Sequence, residues 1–352
     1  MKLLHQLGWS GFLGLAVAGL AIAGCRAPEA PPAAETEASP TTTVSPAPAA
    51  AAIPDTEIKA TQPWRLVFAV KDRRDASTGT IVDPNWERAW QGAQQAAEDF
   101  GVEVMLLPNA CQTCVEDQIR AINELIERGT TDGLVLGAVD SLALVPVVEK
   151  VIAAGIPVIA VDTPLNSDRL VTTVGFDNFA AGRVLGEWIA AQLPSRSQVA
   201  ILNGPLDHQN AIERRDGFLA GMQQNNLDIV ATASADWGTE PAVKIAAEWF
   251  AQHPDLKAIV AANDRMALGA AQAAAAAGRS DVLIAGFDAL DIALEAIAAG
   301  QLAATIDQRS DLQARLALQL LIRHLENQER FPSFSALPEI PLVTRENVAT
   351  YR

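Results

Sequence analysis

Short apolar runs of strand length alternate with helical stretches from Trp64 almost to the end of the chain, and this alternation restricts the fold most strongly. The apolar runs lack the polar alternation of half-solvated strands, which indicates strands covered on both faces by helices, as in a parallel sheet. The predicted strands are Leu66–Val70, Val102–Leu107, Gly133–Leu136, Val158–Val161, Val171–Val174, Val199–Leu202, Ile229–Thr232, Ala258–Ala261, Leu283–Ala285 and Ala304–Ile306.

The segments between these runs have the apolar spacing of helices. The clearest predicted helices are Trp86–Phe100, Gln118–Ile126, Ala181–Leu193, Ile212–Met222, Pro241–Phe250, Met266–Ala277 and Leu312–Leu325. Alternating strands and helices form right-handed crossovers and open sheets. About ten strands are too many for one comfortable sheet, and 352 residues suffice for two domains. The sequence therefore predicts an α/β protein with two doubly wound parallel-sheet lobes.

The N-terminus has the features of an export signal. Lys2 precedes an apolar run at 12–23 that is too short for a comfortable membrane span. The run ends in Ile22-Ala23-Gly24-Cys25, which resembles a bacterial lipobox. We therefore predict a lipoprotein signal peptide at 1–24 and lipid attachment at Cys25, with a periplasmic or cell-surface location on a bacterial membrane. An ordinary signal peptide with an incidental cysteine is the alternative.

Residues 25–63 are rich in Pro, Ala, Thr and Glu and have no apolar period, so we predict a disordered tether. The remaining cysteines, Cys111 and Cys114, form a C-x-x-C pair. Outside the cytosol a local disulfide is the expected state of such a pair. Thioredoxin-like redox chemistry and half of a zinc site are the alternatives, but no second C-x-x-C or histidine cluster completes a metal site.

Charge and motifs argue against several classes of function. A net charge of −16 disfavours a nucleic-acid surface, because phosphate binding requires clustered Lys and Arg. The chain has four histidines and no G-x-S-x-G, Walker A or H-E-x-x-H motif. We therefore expect a protein that is not an enzyme and that uses no metal or cofactor.

Polar residues follow the apolar runs in register. They are Lys71, Asp162, Asn203, Asp236-Trp237, Asn263-Asp264, Asp288 and Asp307-Gln308. Ligands of open α/β sheets bind beyond the carboxyl ends of the strands, so these residues predict a lined cleft. Helix capping is the alternative for each Asp and Asn taken singly.

Several segments resemble the periplasmic sugar-binding family that includes ribose-, arabinose- and galactose/glucose-binding proteins. The segments are 83–86 with Gly92-Ala93, 157–162, Arg214 with Gly217-Phe218, 261–269, 286–288 and 302–308. The resemblance covers about Trp64 to Val348 and implies a type I periplasmic binding fold with a three-crossing hinge. We place the crossings near Gly175-Phe176, Gln308-Arg309 and Pro338–Ile340. The N-terminal lobe would then comprise 64–174 and 309–337, and the C-terminal lobe 175–308 and 338–352.

The resemblance also implies the site residues. Trp86 and Trp237 match stacking positions, one from each lobe, although either indole could belong to the core instead. Asp162, Asn263 and Asp288 match hydroxyl-binding positions, and Gln308 matches a contact next to the hinge. We expect carboxylates that accept hydroxyl protons to be ionised. Lys71 and Asp83 resemble sugar-binding or rim residues, and the stretch 72–82 between them is longer than the family pattern.

The segment from His208 to Arg214 bears on the type of ligand. His208, Asn210 and Arg214 fall where galactose/glucose-binding proteins have His, Asp and Arg; the alternatives are a loop residue for His208 and a structural ion pair for Arg214. Ile212 and Thr163 replace arginines of ribose-binding proteins, which makes ribose a poorer candidate.

We therefore expect a monomeric receptor that closes on one monosaccharide, hexose-like rather than ribose, and delivers it to an ABC permease, touching the membrane only through its lipid. A sensor for a chemoreceptor or histidine kinase, binding an inositol, nucleoside or autoinducer-type molecule, is the main alternative. A glycosidase is a third, because the predicted cleft contains carboxylates; that mechanism requires an acid with a raised pKa.

Overall fold

The computed structural model describes residues 58–351, which form two α/β lobes, each built on a six-stranded sheet. The predicted signal peptide and Cys25 lie outside the described residues. The strands of the N-terminal lobe are β1 (Arg65–Ala69), β2 (Glu103–Leu107), β3 (Gly133–Leu136), β4 (Val158–Val161), β5 (Thr172–Gly175) and β11 (Phe334–Ala336). They lie in the order β11-β5-β4-β3-β1-β2, and all their pairings are parallel.

The C-terminal lobe repeats this arrangement. Its strands are β6 (Gln198–Asn203), β7 (Asp228–Ser234), β8 (Leu256–Ala261), β9 (Leu283–Phe287), β10 (Ala304–Ile306) and β12 (Leu342–Thr344). They lie in the order β12-β10-β9-β8-β6-β7, in which β12 alone pairs antiparallel. Parallel pairing places the carboxyl ends of the other strands at one edge of each sheet.

Helices cover both faces of each sheet. The N-terminal lobe contains α1 (Pro84–Phe100), α2 (Val115–Arg128), α3 (Val145–Ala153) and α9 (Ser310–Asn327). The C-terminal lobe contains α4 (Asn178–Gln192), α5 (Gln209–Met222), α6 (Thr239–Gln252), α7 (Asp264–Ala276) and α8 (Asp291–Ala299). In the first lobe, α1 and α9 enclose one core around Phe68 and Phe100, while α2 and α3 enclose another around Leu134 and Val148. Coverage on both faces explains why the strands read as continuous apolar runs.

The chain crosses between the lobes three times, after β5, after β10 and between β11 and β12. These positions agree with the crossings predicted near Gly175, Gln308 and Pro338. All the predicted strands and helices are present; β3, β4 and β10 have the predicted bounds, and the other elements have shifted ends. Four elements were not predicted from the sequence pattern: α3, α8, β11 and β12. The two strands have three residues each and pair at sheet edges, so they lack the long apolar run of a central strand.

The folded part begins earlier than predicted, because the last residues of the predicted tether contact the N-terminal lobe. The backbone N–H of Ala60 donates to the carbonyl of Phe100 (2.8 Å), and the N–H of Thr61 donates to Glu326 Oε1 (2.8 Å). The stretch 72–82 forms a short hairpin closed by an antiparallel bridge between Arg74 and Ile81. Within residues 58–351, no helix combines the length and the apolar character needed to span a bilayer.

Candidate functional site

A polar cleft lies where the strand ends of both lobes meet. Its lining residues are Lys71, Asp83, Asn85, Trp86, Gln112, Asp162, Asn210, Arg214, Trp237, Asn263, Asp288 and Gln308. Of the residues predicted to contact the ligand, all but His208 lie here. Four other strand-end residues expected to line the cleft do not line it: Asn203, Asp236, Asp264 and Asp307. Asn85 and Gln112 were not predicted. Asn85 adjoins Trp86 in a segment already singled out, whereas Gln112 lies inside the C-x-x-C loop, where no sequence pattern marks it.

The two indoles of the cleft are seated in the same way in the two lobes. Trp86, in the first turn of α1, lies against Gly137 after β3, and Trp237, after β7, lies against Gly204 after β6. A Cβ atom on Gly137 would lie 2.3 Å from Trp86 Cη2, and one on Gly204 would lie 2.3 Å from Trp237 Cη2. Both indoles are buried. The position of each indole therefore requires a glycine beneath the ring, because any side chain there would occupy the same space.

The N-terminal lobe contributes a buried ion pair. Lys71 Nζ lies 2.6 Å from Asp162 Oδ2 and also donates to the hydroxyl of Thr163. Burial acts to raise the pKa of Asp162, but the Lys71 ammonium and the Arg214 guanidinium outweigh it and hold that pKa below its ordinary value. Asp162 is therefore an ionised acceptor, as expected. Asn210 Nδ2 of the other lobe lies 3.4 Å from the same carboxylate oxygen.

The C-terminal lobe contributes Arg214, which several acceptors hold in place. Its Nε donates to Asn178 Oδ1 (2.9 Å), its Nη1 to the Ala262 carbonyl (2.8 Å), and its Nη2 to Gln308 Oε1 (3.2 Å). The guanidinium carbon lies 3.9 Å from the ring centroid of Phe287. These contacts fix the guanidinium plane at the base of the cleft.

Asp288 completes this network. Gln308 Nε2 donates to Asp288 Oδ1 (2.6 Å), and Arg214 Nη1 lies 3.6 Å from that oxygen. Burial raises the pKa of Asp288 well above its ordinary value; Arg214 opposes the shift, and the nearby Asp264 adds to it. The pKa of Asp288 is thus shifted in the opposite direction to that of Asp162, although Arg214 is its cationic partner.

His208 lies behind Trp237 and does not line the cleft. Trp237 Nε1–H donates to His208 Nδ1 (3.1 Å), and His208 is only 2% exposed. Burial lowers the pKa of His208 to about 4, and the Lys71 charge adds to this effect. The imidazole is therefore neutral at pH 7, with its hydrogen on Nε2, and it acts as a positioning residue for the indole.

Two residues predicted to contact the ligand form hydrogen bonds with the protein itself. Asn263 Oδ1 accepts from the backbone N–H of Met266 (2.9 Å) as the N-cap of α7, and its Nδ2 donates to the Trp237 carbonyl (3.3 Å). Asp83 Oδ1 is the N-cap of α1 and accepts from the N–H groups of Asn85 (3.0 Å) and Trp86 (3.2 Å). The capping interpretation thus applies to both residues, although both also line the cleft.

Two buried amide oxygens of the cleft remain unsatisfied. Neither Asn85 Oδ1 nor Asn210 Oδ1 receives a hydrogen bond from any residue in the range 58–351. Leaving a buried acceptor unpaired costs about 1–3 kcal/mol. Both oxygens are therefore suited to accept from hydroxyl groups of a guest molecule.

Backbone strain is concentrated at the same place. Asp162 (φ 66°), Trp237 (φ 61°) and Asp288 (φ 115°) all adopt positive φ angles that disfavour side chains. Each such residue costs about 1–3 kcal/mol, so the fold sustains this strain where strand ends turn into the cleft. The strain aims these three side chains at one shared volume.

The burial of His208 makes the stability of the protein depend on pH. The folded-state pKa of about 4 lies below the ordinary 6.5, so the unfolded chain binds this proton more readily. The contribution of the neutral His208 to the free energy of unfolding is complete above pH 6.5. It is lost as the pH falls towards 4, and the total loss is about 3 kcal/mol. His208→Gln keeps a hydrogen-bond acceptor but does not titrate. Between pH 6.5 and 4 we expect its free energy of unfolding, measured with urea, to fall by about 3 kcal/mol less than that of the wild type. Equal losses in the two proteins would contradict this assignment, since the other titrating groups are common to both.

Comparisons with known proteins agree with this architecture. A model of the periplasmic binding protein domain matches residues 77–329. The D-ribose/D-allose-binding protein of Pseudomonas aeruginosa is 36% identical over 224 residues, which cover 62% of this chain and 70% of that protein. The ribose import binding protein of Escherichia coli is 31% identical over 68% of this chain and 80% of its own length.

A solved structure supports the same relationship. The periplasmic solute-binding protein of an ABC transporter from Actinobacillus succinogenes, crystallised with D-allose, superposes with a TM-score of 0.75 at 27% identity. The match covers 82% of this chain and 99% of that structure. With its two six-stranded lobes and three crossings, the chain belongs to the periplasmic binding protein family.

Proposed function

We propose that this protein is an extracytoplasmic receptor that captures a monosaccharide between its lobes and delivers it to an ABC importer without catalysing a reaction. The observation that carries the proposal is the composition of the cleft. Two indoles, one from each lobe, share it with a ring of carboxylate, amide and cationic groups. Aromatic faces suit the C–H surfaces of a sugar ring, and the polar groups suit its hydroxyls.

The charge arrangement favours a neutral guest with many hydroxyls. Lys71 and Asp162 already form one pair, and Arg214 and Asp288 form another. A free anion or cation would compete with one partner of each pair and leave the other buried without a counter-charge. A hydroxyl group both donates and accepts, so it can insert beside each pair without disturbing the charge balance.

The separated pKa values of Asp162 and Asp288 give a specific reason to test a second function. One carboxyl is held ionised and the other is shifted upwards, which is the pattern of an acid and a base in a glycosidase. The shift of Asp288 has a structural cause, however, in its burial next to Asp264. Both Asp288 and Asp162 also have cationic partners within the fold. We therefore favour binding without turnover.

The first test is whether the protein binds a monosaccharide. A hexose has about a dozen non-hydrogen atoms, and at about −0.7 kcal/mol each its dissociation constant would be about micromolar. We expect isothermal titration with D-allose, D-glucose, D-galactose, D-ribose and myo-inositol to give one site per chain, with a hexose preferred over ribose. The departure of Thr163 and Ile212 from the ribose-type arginines supports that order. An absence of heat with all five compounds would refute the proposal, and hydrolysis of an aryl glycoside would refute the non-enzymatic assignment.

Closure of the cleft is supported by a contact that joins the lobes. Arg265 Nη1, in α7, lies 3.0 Å from Asp83 Oδ2, at the start of α1. We propose that the lobes move as rigid units with the bounds 64–174 plus 309–337 and 175–308 plus 338–352, so that this pair forms only on closure.

Removing this contact is expected to weaken binding of the sugar. Because the Arg265 side chain is 29% exposed, we discount the pair for solvent and assign it about 1 kcal/mol. Arg265→Gln should therefore raise the dissociation constant about fivefold, and high salt should reduce the difference. The matched control is Lys257→Gln, which removes an exposed ion pair with Asp281 inside one lobe. An unchanged affinity for Arg265→Gln would show that the pair does not stabilise the closed state.

The seating of the indoles provides an independent test. Gly204→Ala would place a methyl group against Trp237, and because the indole is the more movable partner, the ring should leave its stacking position. We expect a loss of affinity of at least tenfold together with altered tryptophan fluorescence. Gly101→Ala is the control: its φ of 76° strains the backbone, but the added methyl group meets no atom within 4 Å. Equal affinities of these two variants would exclude Trp237 from the site.

The remaining features of the proposal concern location and partners. We propose that Cys25 is the lipid-bearing mature N-terminus, that most of the segment 25–63 is a tether, and that the receptor is a monomer that meets its permease at the membrane. The lipobox-like segment at 22–25 supports the anchor, and the matched ABC and import proteins support the permease.

A further inference from the structure

We propose that the Cys111–Cys114 disulfide is part of the binding device: it holds Gln112 in the cleft, and its reduction by a dithiol lowers the affinity for sugar. The inference rests on the proposed function and extends it to a loop that carries none of the predicted sugar contacts. Gln112 is the residue through which the loop reaches the site. We assign it a positioning role and, through its place on the cleft wall, an influence on ligand choice.

The loop is anchored on the N-terminal lobe by few contacts. The two cysteines are bonded, with their Cα atoms 5.1 Å apart. Asn109 Nδ2 donates to the carbonyls of Cys111 (2.7 Å) and Cys114 (3.0 Å), and the backbone N–H of Asn109 donates to the carbonyl of Asp72 (3.1 Å). The backbone N–H of Cys114 also donates to the carbonyl of Cys111 (3.2 Å), and the disulfide is the covalent restraint on the turn that presents Gln112.

Gln112 contacts the residue that links the stacking indole to the opposite lobe. Its Nε2 donates to Asp83 Oδ2 (2.9 Å). The other oxygen of Asp83 caps the turn of α1 that contains Trp86, and Oδ2 also receives Arg265 across the cleft. A displaced Gln112 would therefore loosen both the orientation of Trp86 and the contact that joins the lobes.

Gln112 also acts on the carboxyl group of Asp72. Burial raises the pKa of Asp72, the neighbouring Asp83 raises it further, and a hydrogen bond from Gln112 opposes the shift. Without the amide the carboxyl groups of Asp72 and Asp83 would have one hydrogen-bond donor fewer. The loop thus supplies a neutral donor at a place where a second cation would upset the charge balance of the cleft.

The disulfide closes a very short loop, and cross-links of that kind contribute least to global stability. A local role is therefore the better explanation for this one. Reduction transfers two electrons and two protons from the dithiol, cleaves the S–S bond, and leaves two protein thiols and the cyclic disulfide of the reagent. The thiol form keeps the Asn109 bonds but gains rotational freedom around Gln112.

The first experiment compares the oxidised protein, the dithiol-reduced protein and the Cys111→Ser/Cys114→Ser variant by titration with D-allose or the best ligand of the panel. We expect about a fivefold loss of affinity in the last two, restored on reoxidation of the reduced wild type. Melting temperatures should change little. The double serine variant is the matched control for the reagent, because dithiol should not affect its affinity. Equal affinity of the oxidised and reduced forms would overturn the inference.

The second experiment asks whether the effect passes through Gln112. With the disulfide intact, Gln112→Ala should lose about as much affinity as reduction does, and in the double serine background it should lose almost nothing more. Gln95→Ala, which removes an exposed amide elsewhere on the same lobe, is the control. If the two losses of affinity were fully additive, the disulfide would not act through Gln112. Independent effects on the fold add, whereas two changes that remove the same contact do not.

A third measurement needs no ligand and therefore separates this inference from the proposed function. If Gln112 supports Asp83 as the cap of α1, reduction should accelerate hydrogen exchange at the backbone amides of Asn85 and Trp86. Exchange that does not change on reduction would overturn the inference even if sugars bind. Faster exchange in a protein that binds none of the five compounds would support the role of the disulfide in holding Gln112. It would at the same time refute the proposed sugar-binding function.

Discussion

Charges that leave water must find partners, and this requirement governs the cleft between the two lobes. Lys71 and Arg214 are both almost fully buried, and an isolated buried ion costs several kcal/mol. Each is matched by a carboxylate of its own lobe, Asp162 or Asp288. The protein thereby presents a surface that is densely polar and locally neutral. A guest that offers paired donors and acceptors suits such a surface better than a guest with a net charge.

The two lobes reach this arrangement by the same route, although their sequences differ. In each lobe an indole rests on a glycine at the end of a neighbouring strand, and a carboxylate with positive φ turns inward. Because almost all of these contacts lie within one lobe, each half of the cleft is organised before the halves meet. The free energy of binding then has to bring together two preformed surfaces, which lowers its entropic cost.

The sequence predicted the central strands well because burial on both faces leaves a local signal in the form of an uninterrupted apolar run. The edge strands β11 and β12 lack that signal, since their pairing is decided by where the chain crosses between lobes. The polar strand ends predicted the cleft for the same reason: parallel strands place their carboxyl ends together. Resemblance identified the lining residues more finely than periodicity could, yet it assigned His208 to the ligand, whereas burial places this residue behind Trp237.

Gln112 shows where prediction from sequence ends. Its role depends on the meeting of three segments that are distant in the chain: the loop before α2, the cap of α1 and the start of α7. Asp83 joins them, because one of its oxygens fixes the turn that carries Trp86 while the other accepts from both Gln112 and Arg265. A carboxylate shared in this way makes the positions of Trp86, Gln112 and Arg265 mutually dependent. Weakening any one of the three should therefore weaken the others, and this coupling, more than any single contact, would make the closed state selective for its guest.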